Sequence, residues 1–228
     1  MDLLDGSSWS EPGTVAGFAQ SAPNAVLMRF AADELPRAPS ARLLDLGCGA
    51  GRNAVPLSRL GWDVFGIDLS WPMLAAAVQR AREKEGAGRL HLALAPMDRI
   101  PAKDHTFDFV VAHGIWNLAP SVATFRNALT GSARVARAGA ALFVFTFSRS
   151  TLPPQAEPVA GEPFVFTQFS GQPQCFLTEM QLVAELEAVG FVQEPTVPLR
   201  EYNRSQAGSL VSATVPVIYE GVFRRRWS

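Results

Sequence analysis

Leu44-Asp45-Leu46-Gly47-Cys48-Gly49-Ala50-Gly51-Arg52-Asn53 joins an apolar run to a helical one through three alternate glycines. Residues 41–46 have the character of a short buried strand, and residues 53–60 read as a helix that Gly61 stops. Glycines at 47, 49 and 51 let the backbone turn sharply and approach a ligand where any Cβ would collide. The spacing discriminates between ligands. A dinucleotide fingerprint wants its third glycine three residues after the second, and that position is held by Arg52. Asp45 at the strand end is equally foreign to that fingerprint. A carboxylate there suits a ligand that carries an ammonium group, and it repels a phosphate.

Outward from this loop the pattern alternates. Residues 63–68 read as a second strand, and Asp68 ends it where an acidic side chain can accept both hydroxyls of a ribose. Ser70 caps a helix with Pro72 in its first turn, running on to Glu85. Residues 90–95, 107–112 and 140–147 are further strands, the last two almost continuously apolar, as strands covered on both faces are. Asp98 follows the third strand in Ala95-Pro96-Met97-Asp98, placed to accept from an adenine amino group. Each aspartate alone could be a turn or cap residue. Together with the glycine loop they form a constellation of carboxylates at successive strand ends. Cys48, inside the loop, reads as a small space-filler rather than a nucleophile. Strands alternating with helices predict an α/β, doubly wound, mostly parallel sheet with its ligand at the carboxyl ends of the strands.

Past residue 147 a Pro-rich stretch gives way to a Phe-rich one (Phe164, Phe166, Phe169, Phe176), then to an amphipathic helix over 178–189. Thr178 and Gln181 make a capping box for it and Gly190 ends it. Residues 191–197 and 212–224 read as two strands forming an antiparallel hairpin at the sheet edge, with Arg224, Arg225 and Arg226 as a solvated basic tail.

Composition sets bounds on partners. A net charge of -1 with 18% charged residues offers no broad basic surface for a phosphate backbone, so a nucleic-acid partner is not expected. The two cysteines, Cys48 and Cys175, are far apart and suggest neither a disulfide framework nor a metal site, and His91, His105 and His113 lack tight ligand spacing. The acidic start of the chain has no signal-peptide character, and the strongest apolar run, 138–147, is too short to span a bilayer. A cytoplasmic protein without a membrane partner is expected. Its 228 residues suit one domain, monomeric or homodimeric.

Asp45-Leu46-Gly47-Cys48-Gly49-Ala50-Gly51 resembles motif I of the class I S-adenosylmethionine-dependent methyltransferases. Gly66-Ile67-Asp68-Leu69-Ser70, the Asp98 loop before Ile100-Pro101 and Phe107-Asp108-Phe109-Val110-Val111 are similar to later landmarks of that family, in order, over residues 40–147. The resemblance implies a Rossmann-like seven-stranded sheet with one antiparallel strand near its edge. It implies S-adenosylmethionine as cofactor and S-adenosylhomocysteine as product. Asp45, Gly47, Gly49, Gly51 and Asn53 would lie against the cofactor, Asp68 and Leu69 at the ribose, and Met97 and Asp98 at the adenine. His113 would touch the cofactor and face the methyl-transfer pocket. The segment 1–38 would form a lid bringing Trp9 and Phe18 to cofactor or substrate, and residues 148–180 a substrate cap.

A finer similarity links Gly51-Arg52-Asn53 and Glu201-Tyr202-Asn203 to tellurite-resistance and thiopurine-type methyltransferases, which act on small soft nucleophiles. The Asn-Pro-Pro-Tyr type motif of nucleic-acid amino methyltransferases is absent after the fourth strand, where His113-Gly114-Ile115-Trp116-Asn117 stands. The expected reaction is methyl transfer to a small-molecule acceptor, a thiol or other soft nucleophile ahead of a hydroxyl or amine. His113 is the candidate base, or else a hydrogen-bonded strand-end residue. Arg200 and Arg204, flanking Tyr202, would hold a thiolate, or else are a solvated pair. Trp116, Phe164, Phe166 and Phe169 would wall an apolar acceptor pocket, or else pack as core. Two other readings compete: a cofactor-binding module without turnover, and a nicotinamide-dependent oxidoreductase, disfavoured because tyrosine occurs only at 202 and 219 and no Tyr-x-x-x-Lys pair exists.

Overall fold

The computed structural model describes residues 7–83, 88–204 and 215–226. Five parallel strands, β1 (Arg42–Leu46), β2 (Asp63–Asp68), β3 (Leu90–Leu94), β4 (Phe107–His113) and β5 (Ala136–Phe147), lie in the order β3-β2-β1-β4-β5. The chain therefore builds outward from β1 in one direction and then, with β4, in the other. The C-terminal ends of β1 and β4 flank the point where the strand order reverses, and loops diverging there open a crevice. Alternate residues explain the continuous apolar runs. Leu43, Phe109, Val111 and Phe143 pack into one core with Leu27, Phe30 and Trp62. Their neighbours Leu44, Val110, Leu142 and Val144 pack into a second core with Phe125, Leu129 and Leu182.

Helices α1 (Pro12–Gln20), α2 (Ala25–Glu34), α3 (Ala54–Arg59), α4 (Trp71–Arg82), α5 (Val122–Val135) and α6 (Glu179–Ala188) complete the layers. The Ser70 hydroxyl accepts from the Met73 amide at the start of α4, and Thr178 and Gln181 form the expected capping box on α6. Two short pairs follow from the C-terminal half: β6 (Val165–Phe166) with β7 (Gln174–Cys175), and β8 (Phe191–Gln193) with β10 (Ile218–Arg225), which also pairs with β9 (Arg200–Tyr202). β10 runs antiparallel to β5, β8 and β9.

The sheet thus holds eight strands rather than the seven expected. β8 and β9 share one edge of β10, because the run expected as a strand over 191–197 leaves the ladder after Gln193. Glu194 N–H donates to Val222 C=O at 2.8 Å and Val222 N–H donates to Val197 C=O at 2.9 Å. The chain between them bulges outward, and Pro195 and Pro198 have no N–H to continue a ladder. Arg224, expected in a solvated tail, is instead ion-paired with Glu34 of α2 and with Glu194 at 2.9 Å. The expected helix end at Glu85 and the first residues of the strand expected from 212 lie outside the described residues. Among the described residues no helix is long and apolar enough to cross a membrane.

Candidate active site

A cavity of about 690 Å³ occupies the crevice. The glycine loop forms its floor. Gly47 has φ +65°, and a Cβ there would sit 2.6 Å from Ile115 Cδ1; Gly51 has φ +74°, and a Cβ would sit 2.9 Å from Val55 Cγ2. The first and third glycines are therefore required by loop conformation and by packing against neighbouring side chains. Gly49 lines the cavity, and its N–H donates to Asp68 Oδ2 at 2.9 Å. Asp68 Oδ1 accepts from the Ser70 amide at 2.8 Å, so the carboxylate is anchored by backbone on both oxygens.

Asp45, at the end of β1, is 2% exposed and its Oδ2 has no hydrogen-bond partner. Burial pushes its carboxyl up to about 7, against the pull of the Arg52 guanidinium and with help from the charge on Asp68. Arg52 also lines the cavity. Burial lowers its pKa, and among the described residues it has no carboxylate within 4.0 Å. Its Nη2 donates instead to His113 Nδ1 at 2.9 Å. A half-buried cation and a buried, unsatisfied carboxyl therefore stand together at the cavity.

His113 ends β4 with its ring stacked on Phe145, centroids 4.1 Å apart and planes 9° apart. Burial first, and the Arg52 charge second, drive its pKa down to about 3. The ring is neutral throughout the physiological range and its Nδ1 lone pair is engaged by Arg52. The expected general base is therefore too weakly basic for that task near neutral pH. Behind it Asn24 connects four elements. Its Oδ1 caps α2 through the Leu27 amide at 2.9 Å and its N–H donates to Asn53 Oδ1 at 3.0 Å. Its Nδ2 donates to Glu220 Oε2 at 2.6 Å and lies 3.3 Å from His113 Nε2.

Against this geometry stand the comparisons with known proteins. Residues 43–139 match the family model described as a methyltransferase domain. The ubiquinone biosynthesis O-methyltransferase of Methylocella silvestris is 32% identical over 178 residues, covering 72% of this chain and 67% of that protein. The chain belongs to the S-adenosylmethionine-dependent methyltransferases. The methyltransferase is also 36% identical to the demethylmenaquinone methyltransferase of Lactiplantibacillus plantarum over 120 residues, 51% of this chain and 49% of that protein. The chain spans about half the length of that enzyme and of the quinone C-methyltransferases it matches. Its fold resembles that of the 1,6-didemethyltoxoflavin-N1-methyltransferase of Burkholderia thailandensis, solved with bound 1,6-didemethyltoxoflavin and S-adenosylhomocysteine. The TM-score is 0.61 at 18% identity, covering 87% of this chain and 78% of that one. These relatives carry quinone-type and heterocycle-type names, and the finer similarity to tellurite-resistance and thiopurine-type enzymes finds no support among them.

In the methyltransferase, Trp9, Phe18, Asn53, Leu69, Met97, Asp98 and Phe169 reach the cavity together with the residues above. Others expected there do not. Trp116 is fully buried, edge-on to Phe125, and Phe164 packs on that same ring at 5.3 Å. Phe166 lies against Phe176 with the Arg149 guanidinium 4.8 Å over its face. Trp116 packs as core in the turn after β4, and Phe164 and Phe166 are buried within the cap together with Val165, while Phe169 stays at the cavity. Arg200, Tyr202 and Arg204 lie on or beside β9, at the sheet edge beyond β10, and Arg204 pairs with Glu201 at 3.3 Å. Gly51 supports the loop without lining the cavity.

Two contributors escaped sequence reasoning. Arg52 enters the sequence reading as a residue that breaks a dinucleotide pattern and as part of the Gly51-Arg52-Asn53 similarity, without a site role, although a cation directly after the glycine loop is a signal. Asn24 carried only the signal of an N-cap before an apolar helix, and nothing in the sequence tied it to residue 220.

Proposed function

We propose that the cavity binds S-adenosylmethionine along the ends of β1, β2 and β3, and that the chain directs its methyl group to a small, uncharged acceptor. The observation that carries the binding reading is the pair formed by Asp45, with its unpartnered buried oxygen, and Arg52, without a carboxylate. An α-amino acid group supplies the ammonium and the carboxylate that this pair lacks. Asp68, held by two backbone amides at the end of β2, would face the ribose hydroxyls, and Met97 with Asp98 would receive the adenine. The bound cofactor would supply an electrophilic methyl group on a sulfonium. The chain's own contribution is to orient the acceptor and exclude water, which for an in-line transfer supplies much of the acceleration. The neutral His113 ring, backed by Arg52 and Phe145, serves as a rigid wall and hydrogen-bonding surface.

Thiolate preference had its physical basis in Arg200 and Arg204, which lie away from the cavity. The part of the wall formed by Ile115, Leu118, Pro120, Phe145, Phe147 and Phe169 is apolar. That lining favours a neutral ring-bearing acceptor over a small anion, a reading in keeping with the quinone names of the relatives. Within a single domain of residues 1–228, the segment through residue 38 would close over the cofactor: Trp9 and Phe18 rings lie 5.8 Å apart at the cavity, and Ser70 Oγ donates to Trp9 C=O at 3.1 Å. Residues 148–180 would cap the acceptor.

Calorimetry with S-adenosylmethionine and S-adenosylhomocysteine tests the assignment. Both should bind the wild type, and Asp68→Ala should lose at least tenfold in affinity. Folded wild-type protein that binds neither would refute it. Release of S-adenosylhomocysteine with a panel of phenols, quinols, N-heterocycles and thiols would then identify the acceptor class. Cofactor affinity without turnover on any of them would favour the non-catalytic module.

A further inference from the structure

We propose that Asn117 selects the acceptor by taking a hydrogen bond from a hydroxyl or N–H group of an uncharged aromatic substrate. This deepens, and rests on, the reading of the cavity as a methyl-transfer site. Asn117 sits in the short helical turn Trp116–Leu118 that follows β4. It is 2% exposed, it lines the cavity, and its Oδ1 is buried without a hydrogen-bond partner. An amide oxygen buried without a partner is costly, and a native site that keeps one is poised for a donor that arrives with a ligand.

The surroundings specify what that ligand is. The four charged residues that line the cavity, Asp45, Arg52, Asp68 and Asp98, all lie at or just beyond the C-terminal ends of β1, β2 and β3. Asn117 stands after β4, on the other side of the reversal in strand order. Its neighbours in sequence at the wall, Ile115, Leu118 and Pro120, are apolar, as are Phe147 and Phe169. The side-chain oxygens of the other polar residues there already take part in hydrogen bonds. Thr124 Oγ1 lies 3.0 Å from Ser121 Oγ, and Gln174 Oε1 accepts from Ser170 Oγ at 3.2 Å. With no charge to meet a charged substrate and one unsatisfied acceptor, this end of the cavity fits a neutral apolar ring bearing a donor. A site built around such an acceptor rejects the analogue without the donor, because the amide is then sealed in unpaired.

The test uses the full chain saturated with S-adenosylhomocysteine and two matched probe pairs, 2-naphthol with 2-methoxynaphthalene and indole with N-methylindole. Wild type should bind the donor member of at least one pair tenfold or more tightly than its methylated partner. Asn117→Leu should bring the two within about twofold while its affinity for S-adenosylhomocysteine is unchanged. Asn117→Asp, which keeps acceptor oxygens at the same place, should retain the preference, and it decides the matter if the Leu variant does not fold. Equal binding of donor and non-donor by wild type, no binding of either pair, a preference that survives in Asn117→Leu or one lost in Asn117→Asp would each overturn the proposal. So would a folded Leu variant that loses S-adenosylhomocysteine, since Asn117 would then serve the cofactor. Failure of wild type to bind S-adenosylhomocysteine has a separate signature: it removes the methyl-transfer reading itself, and this inference with it.

Discussion

Replacing Asp45 by Asn should stabilise the ligand-free protein at alkaline pH while removing most of its affinity for S-adenosylmethionine. The folded carboxyl holds its proton up to about 7, whereas the ordinary value is 3.8. The folded state therefore binds this proton more tightly than the unfolded chain. Wild-type stability from this group is fully present below about pH 4 and is lost as pH rises through about 7. The full cost once both states are ionised is about 4 kcal/mol, and more than half of it develops between pH 5 and pH 8. An asparagine amide does not titrate, so the variant escapes that loss. It leaves an unpaired amide instead, which costs about 1–3 kcal/mol at every pH. The melting temperature of the variant relative to wild type should therefore rise by about 5–10 °C between pH 5 and pH 8. Binding should run the other way. If the cofactor's ammonium needs the carboxylate, wild-type affinity should fall about 100-fold from its plateau to pH 5, and the variant should bind weakly with a flat profile. Differential scanning calorimetry and titration calorimetry across this range measure both. A variant whose melting temperature tracks wild type at every pH, or wild-type affinity that is flat from pH 5 to pH 7.5, would refute the reasoning.

Three further outcomes follow from the same site. His113→Gln should leave the pH dependence of kcat without any change near the ordinary histidine pKa, because the ring, with its pKa driven down to about 3, does not titrate there; a limb near pH 6.5 present in wild type and lost in the variant would restore the base. Arg52→Met should weaken S-adenosylmethionine binding by about tenfold or more through loss of a charge-assisted pair. It should also move the His113 pKa upward, read by NMR on the imidazole protons, since the neighbouring cation is gone. Arg80 donates to the carbonyl oxygens of Ala19 and of Ser21, the latter at 3.0 Å, at the end of α1. Arg80→Ala should raise KM for the cofactor several-fold with a smaller effect on kcat, and unchanged steady-state kinetics would dispose of the N-terminal segment as a lid.

The α/β alternation, the bounds of β1, β2 and β4 to within a residue, and the carboxylates at three successive strand ends are legible in the order of amino acids alone. These are local matters. Glycine spacing, strand-like apolar runs, the Ser70 cap and the Thr178–Gln181 box are written over a few neighbouring residues, and backbone sterics translate them directly into conformation. The tertiary structure alone decided what depends on distant parts of the chain meeting. Residues 164 and 166 point into packing while 169 reaches the cavity, an outcome set by how the 148–180 segment folds back on β5. Arg200 and Arg204, attractive as cations in sequence, sit beyond β10 because the edge ladder places them there. Asp45 and His113 were legible as residues, but their protonation states were not, since burial and the approach of Arg52 set both. The unsatisfied oxygen of Asn117 is visible only once a fold has removed water from around it.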